Sequence, residues 1–179
     1  NKDDYPQIEQ YRDELVKMRA GVIFGLEVGV RYAQLTIAKE DFPEEVRKWE
    51  TEVSRLGLLN ADSVSLAAGS SLLRLGRADL GLTYFKNLYE SNPKSLTQYF
   101  VALVGAQQLN EAIELAMKHY QDNGDANSAT LFVSGLNRLG ETTLSEEHEQ
   151  IVNQILMNHE NNLELLENVA TLRLQHQDS

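Results

Sequence analysis

The stretch NADSVSLAAGSSLLRLGRADLGLTYFKNLYESNPKS, residues 60–95, decides how this chain folds. Asp62 or Ser63 is placed to cap a helix, because a short oxygen-bearing side chain can accept from the free amides of a first turn. Leu66, Gly69, Ser70, Leu72 and Leu73 follow at helical spacing. Gly76 is expected to end that helix, since glycine reaches the left-handed backbone region without a Cβ clash. Asp79 is placed to cap a second helix whose buried stripe is Leu80, Tyr84, Phe85 and Leu88. Asn92-Pro93 stops it, because the residue before proline avoids the helical region. The stretch therefore spells two helices joined by a tight turn.

Its signals recur along the chain. LRLGRADLG at 73–81 is echoed by NRLGETTLS at 137–145, with Gly76 and Gly140 64 residues apart. Midway, GAQQLNEAIELA at 105–116 again reads as a turn followed by a helix. Upstream, AKEDFPEEVRKWE at 38–50 has the same form. A fixed period of about one helix pair is the signature of a repeat architecture.

Gly69, Gly81, Phe85 and Pro93 stand at intervals of 12, 4 and 8 residues. In this the unit resembles the tetratricopeptide repeat family, in which two small residues let paired helices approach, an aromatic fills the space beneath, and a proline closes the unit. Three neighbouring units are degenerate. In the first, Gly29 and Tyr32 keep the spacing and Trp49 holds the place of Phe85. In the third, Phe100 and Ala112 are twelve apart and Ala116 replaces the aromatic. In the fourth, SATLFVSGLNRLG makes a first helix, and the second keeps the stripe Leu144, His148, Ile151, Val152, Ile155 and Leu156. The resemblance covers about 25–160. It is preceded by a helix in 1–24 and followed by a terminal helix in 161–179 with the stripe Leu165, Leu166, Val169, Ala170 and Leu172. That last helix is expected to be a cap or the first half of a further unit of a longer chain.

The resemblance implies an all-α, right-handed superhelical solenoid of antiparallel helix pairs, about nine helices in all. It also implies a concave face lined by first helices. By spacing, Leu66, Ser70, Gln98, Val101, Phe132 and Gly135 fall on that face, with Arg74 and Arg138 at the ends of their helices. An arginine there could hold a carboxylate with two parallel hydrogen bonds. It could equally be a solvated side chain at the negative end of a helix dipole. Related grooves that grip acidic peptide C-termini use lysines and asparagines at the facing positions. The residues here are small, apolar or neutral, so that specificity is not implied.

AGVIFGLEVGVRYAQ, residues 20–34, raises a separate question, because Gly21, Gly25 and Gly29 have the spacing of membrane helices that dimerise. Spanning a bilayer takes about 20 mostly apolar residues. Glu27 and Arg31 interrupt this run, and Lys17, Arg19 and Lys39 flank it. The glycines are expected to form a groove for a neighbouring helix, within the chain or on a second copy of it.

Composition narrows the function. The chain has 179 residues, 42% hydrophobic and 24% charged, with a net charge of −11. A surface this acidic repels phosphate, which argues against direct nucleic-acid binding and against an anionic membrane surface. Without cysteine there is no disulfide, thiolate nucleophile or thiolate metal site. No phosphate-binding loop, dinucleotide fingerprint, nucleophile elbow or HExxH motif is present. His148 and His159 share a helix face but are too far apart to ligate one metal. Glu44-Glu45 and Glu146-Glu147 sit at helix starts, where carboxylates meet the positive end of the dipole. The expectation is a non-catalytic scaffold, without metal or cofactor, that binds a peptide or partner helix. Two alternatives are self-association, through the glycine helix or the terminal helix, and service as a regulatory or targeting segment of a larger enzyme.

Overall fold

The computed structural model describes residues 62–140 and 144–177, together with eight isolated positions in the first 61 residues, all of them helical. Among the described residues there is no strand, and there are seven α-helices. They are α1 (Asp62–Arg74), α2 (Ala78–Ser91), α3 (Leu96–Gly105), α4 (Leu109–Asn123), α5 (Ala126–Leu139), α6 (Glu146–Asn158) and α7 (Leu163–Gln177), with a 3-10 turn, Pro93–Ser95, before α3. The described residues are thus all-α. Of the degenerate first unit, Gly29, Tyr32, Trp49 and the Glu44-Glu45 pair lie outside the described residues. So do Gly21 and the rest of the glycine helix apart from Gly25, which is helical and buried. The chain divides into two compact units, 1–93 and 94–179.

In the first unit, α1 and α2 form the helix pair read from residues 60–95. Gly76 takes φ +75°, and the chain turns through the Arg77 amide donating to the Leu72 carbonyl at 2.9 Å and the Gly76 amide donating to Leu73 at 3.0 Å. Asn92 is extended before Pro93 (φ −142°, ψ 91°). Partners climb α1 as they descend α2. Asn92 Nδ2 donates to Asp62 Oδ2 at 3.2 Å, Phe85 lies against Gly69, and Leu73 lies against Gly81. The pair is therefore antiparallel. A Cβ on Gly69 would come within 2.7 Å of Phe85 Cε2 and 3.1 Å of the Gly81 carbonyl. A Cβ on Gly81 would come within 2.9 Å of the Gly69 carbonyl. The two glycines face each other, and the backbones meet there with no room for a methyl group.

One local expectation needs correction. Asp79 does not cap α2. The preceding N-cap residue is Arg77, which makes no side-chain cap bond. Asp79 lies one residue inside the helix, where Arg77 grips it through Nε–Oδ1 at 3.1 Å and Nη2–Oδ2 at 2.7 Å. The Arg77 hydrogen bond and charge hold the Asp79 carboxyl below its ordinary value. Sequence placed the aspartate at the helix start correctly, but the stronger fork-shaped donor captured it.

In the second unit, α3 packs on α4 and α5, and α5 packs on α4 and α7. Phe100, Leu103, Ala112, Ile113, Ala116, Tyr120, Ala129, Phe132, Val133, Leu136, Ile151, Val152, Ile155, Leu165, Val169 and Leu172 form the core. The turn from α3 to α4 repeats the α1–α2 bonds. Gln107 donates to Val104 at 3.0 Å and Gln108 to Leu103 at 2.9 Å. Here the left-handed position is held by Gln107 at φ 63°, a residue with a Cβ. Gly124 and Gly140, at φ 66° and 64°, end α4 and α5. Helices α3 and α5 lie side by side and run the same way. Asn127 Nδ2 donates to Thr97 Oγ1 at 3.3 Å near the starts of α5 and α3, and Phe100 and Gly135 meet further along both. Asn137 Nδ2 donates to the Asn168 carbonyl at 3.1 Å, linking α5 to α7. The His148 and Phe132 rings meet at a steep angle and His159 tilts over Tyr120, so both histidines are interhelical packing.

Asp125 caps α5. Its Oδ1 accepts from the Ser128 amide at 3.0 Å and its Oδ2 from the Ser128 hydroxyl at 2.6 Å, with His119 Nε2 at 3.6 Å. Burial raises the carboxyl's pKa, but the two Ser128 bonds and His119 outweigh it, and the net shift is below the ordinary 3.8.

Gly69→Leu must displace Phe85 or separate the helices, so it should destabilise the chain by about 1–3 kcal/mol or more. The control Lys86→Leu, at an exposed position, should stay within about 0.5 kcal/mol of wild type. Thermal melts of the two compare them directly, and equal melting temperatures would contradict the contact. Asp125→Ala should cost about 1 kcal/mol at neutral pH. A carboxyl whose folded pKa is depressed stabilises above its unfolded pKa and loses that effect as pH falls through the folded value. The gap between wild type and Asp125→Ala in urea melts should therefore narrow below about pH 4, whereas Asp125→Asn, a neutral cap, should show no such trend of its own.

Candidate functional site

In the first unit, Leu66, Ser70 and Arg74 lie four residues apart along α1 and so form one stripe. Leu66 and Ser70 are half-buried and Arg74 is exposed at the helix end. Arg74 Nη2 donates to the hydroxyl of buried Ser71 at 3.1 Å. That bond holds the guanidinium along the last turn, where the negative end of the helix dipole also favours it.

In the second unit, Gln98 and Val101 are exposed on α3, and Val101 keeps 60% of its surface in solvent. Arg138 is exposed at the end of α5. Phe132 and Gly135 are placed elsewhere. Phe132 is 0% exposed, packed against the His148 ring. Gly135 is buried, and a Cβ there would come within 2.6 Å of Ile113 Cγ1 and 3.5 Å of Phe100 Cζ. Both belong to the core and are corrected out of the contact surface. The physical reason is a slip of one residue, which turns a helix position by about 100°. Leu131 and Ser134, each one residue earlier, are the partly exposed positions. With Asn127 and Arg138 they follow the spacing i, i+4, i+7, i+11 along a single stripe of α5.

The two stripes of this unit run side by side, because Thr97 and Asn127 hold the starts of α3 and α5 together. The surface they give consists of Gln98 and Val101 from α3 and Leu131, Ser134 and Arg138 from α5. It presents one exposed apolar residue, one part-exposed, three polar or cationic groups and no carboxylate. Such a surface can bury an apolar side chain and place one guanidinium beside a carboxylate or a backbone carbonyl. On α4, by contrast, Glu111, Glu114 and Lys118 are exposed. Among the described residues, no three histidine, aspartate or glutamate side chains gather as a metal site would require. Nor is any helix among them long and apolar enough to cross a membrane.

No protein-family model, no curated protein and no solved structure matches the chain.

Sequence spacing missed three features of this surface. Leu131 and Ser134 were hidden by the one-residue slip. The cap Asp125, three residues before Ser128, was legible as an oxygen side chain ahead of an apolar run, and it would have fixed the phase of α5. Asn127 carried no local signal, since its partner Thr97 is 30 residues away. The slip can be tested by stability. Phe132→Glu should destabilise by about 3 kcal/mol or more, because it removes a buried ring and leaves a charge in its place. Leu131→Glu should cost less than half as much. Chemical denaturation of both variants decides it, and equal losses would contradict the assigned phase.

Proposed function

We propose that this chain is a non-catalytic protein-interaction scaffold, built as a tetratricopeptide-like solenoid that holds a peptide or partner helix on the face of its first helices. The observation that carries this reading is the division of surface between first and second helices in the second unit. The stripes of α3 and α5 pair exposed Val101 and part-exposed Leu131 with Gln98, Ser134 and Arg138, whereas α4 presents Glu111, Glu114 and Lys118. First helices cross-linked at offsets of 30 and 31 residues support a stack of similar pairs. An extended peptide or an amphipathic helix suits a groove between such helices. In the first unit, Leu66, Ser70 and Arg74 offer a stripe of the same character. Arg138 would receive an acidic group of the ligand.

The test is affinity capture from a lysate of the source organism, with captured proteins identified by mass spectrometry. Wild type, Val101→Glu with Leu131→Glu, and Glu111→Lys with Glu114→Lys are compared after each is shown to melt cooperatively. The first-helix variant should lose specific partners that the α4 variant keeps. The reading fails if the first-helix variant keeps every partner while the α4 variant loses them. Where Arg138 contacts a ligand carboxylate, retention should also weaken as salt rises.

A further inference from the structure

Helix α7 carries a second face that the core does not use. Leu165, Val169 and Leu172 are buried, and Arg173 is committed to α6, donating to Glu149 at 2.8 Å and Asn153 at 3.0 Å. On the remaining arc stand Leu163, Glu167, Ala170 and Leu174, all exposed. Their spacing of 4, 3 and 4 residues confines them to an arc of about 60°. Leu163 is 73% and Leu174 65% in solvent. Met157, 74% exposed, lies at the end of α6 just before the turn into α7. Single exposed leucines are ordinary on protein surfaces. Two leucines and an alanine in register over three turns, around one glutamate, form a seam of the kind that receives another helix.

The charges define the occupant. Glu167 sits within the seam, and Glu160 and Glu164 are exposed close to it in sequence. A helix that covered Glu167 with apolar groups alone would strand a carboxylate away from water. A second copy of the chain fits poorly. Antiparallel self-pairing would match leucine with leucine, but it would bring the two Glu167 carboxylates together near the axis between chains that each carry −11. We propose that the Leu163–Glu167–Ala170–Leu174 seam docks a basic amphipathic helix of a partner protein. That helix sets large apolar residues against Leu163, Ala170 and Leu174 and a lysine or arginine against Glu167. The seam uses none of the residues of the α3–α5 surface, so it stands or falls separately from it.

The experiment uses the full chain and a designed, fluorescently labelled helical peptide of about 20 residues. The peptide has leucine at i, i+4 and i+11, lysine at i+7 and arginine on its flanks, and is made in both sequence orders. A matched peptide carries glutamate at i+7. Wild type should bind a lysine peptide about tenfold or more tightly than the glutamate peptide. Leu163→Ser with Leu174→Ser, which removes only exposed side chains, should weaken that binding by a similar factor with its melting temperature unchanged. Glu167→Lys should reverse the preference between the peptides. Val101→Glu with Leu131→Glu should bind as wild type does. The proposal is overturned if wild type shows no preference, if Glu167→Lys keeps the wild-type preference, or if only the Val101/Leu131 variant loses the peptide. It is equally overturned if sedimentation velocity finds a wild-type dimer that the leucine pair of substitutions abolishes.

Discussion

Each described first helix that leads into a second one ends at a residue in the left-handed region, and the helix pairs depend on it. At Gly76, Gln107 and Gly140 the chain leaves its helix with φ of 75°, 63° and 64°. At Gly76 and Gln107 this lets the residue's own amide and the next one turn back onto carbonyls of the last turn, so a helix can stop and reverse within a few residues. Without the reversal, α1 could not bring Leu73 to Gly81, nor α3 come to lie on α4. Gln107 shows that the constraint is conformational and not compositional. It adopts the same backbone region and the same bonds as Gly76 despite a Cβ that disfavours left-handed backbone by about 1–2 kcal/mol. Packing of Phe100 and Leu103 on α3 and of Ala112 and Ile113 on α4 supplies the compensation.

Much of this was legible in the residues themselves. Gly76 and Asn92-Pro93 bounded α1 and α2 because both act through backbone sterics, which are local. Gly69 and Gly81 were legible as a close approach because nothing else in a helix explains a glycine at that cost. The halfway turn could be located by periodicity even though Gln107 is not glycine. What failed was rotational phase. Halving the 64 residues between Gly76 and Gly140 cannot fix a helix to better than one residue, and one residue is enough to exchange Phe132 for Leu131. Ala170 failed similarly, since it was read with the buried stripe of α7 and stands on the exposed one. Capping was misread at Asp79, which Arg77 takes, and the cap that forms on α5, Asp125, was not read at all.

The surface chemistry follows from the same arrangement. In the second unit, packing uses the sides of α3 and α5 that carry Phe100, Phe132 and Gly135, which leaves Val101 and Leu131 as outward neighbours. Small residues decide how near those stripes come. Gly135 lets Ile113 and Phe100 approach its backbone, so the helix that carries Arg138 sits low against its neighbours. Two polar contacts then hold neighbouring helices in alignment without adding charge. Thr97 with Asn127 and Asn137 with Asn168 are neutral, as suits a chain with an excess of 11 negative charges. A helix stack tied by such bonds keeps its register over a wide range of ionic strength.

The facing glycines of the first helix pair have a consequence for how this sequence can drift. A side chain at Gly81 meets the Gly69 carbonyl, which cannot change rotamer to make room, and one at Gly69 meets the Phe85 ring with the Gly81 carbonyl just behind it. No single step leads away from the pair, and changing both together only doubles the added bulk at the crossing. Leu73 and Phe85, which touch the same crossing with side chains, can instead exchange volume with their surroundings in small increments. Variation in this helix pair is thus channelled into the residues around the crossing, and the crossing itself is a fixed point in sequence space.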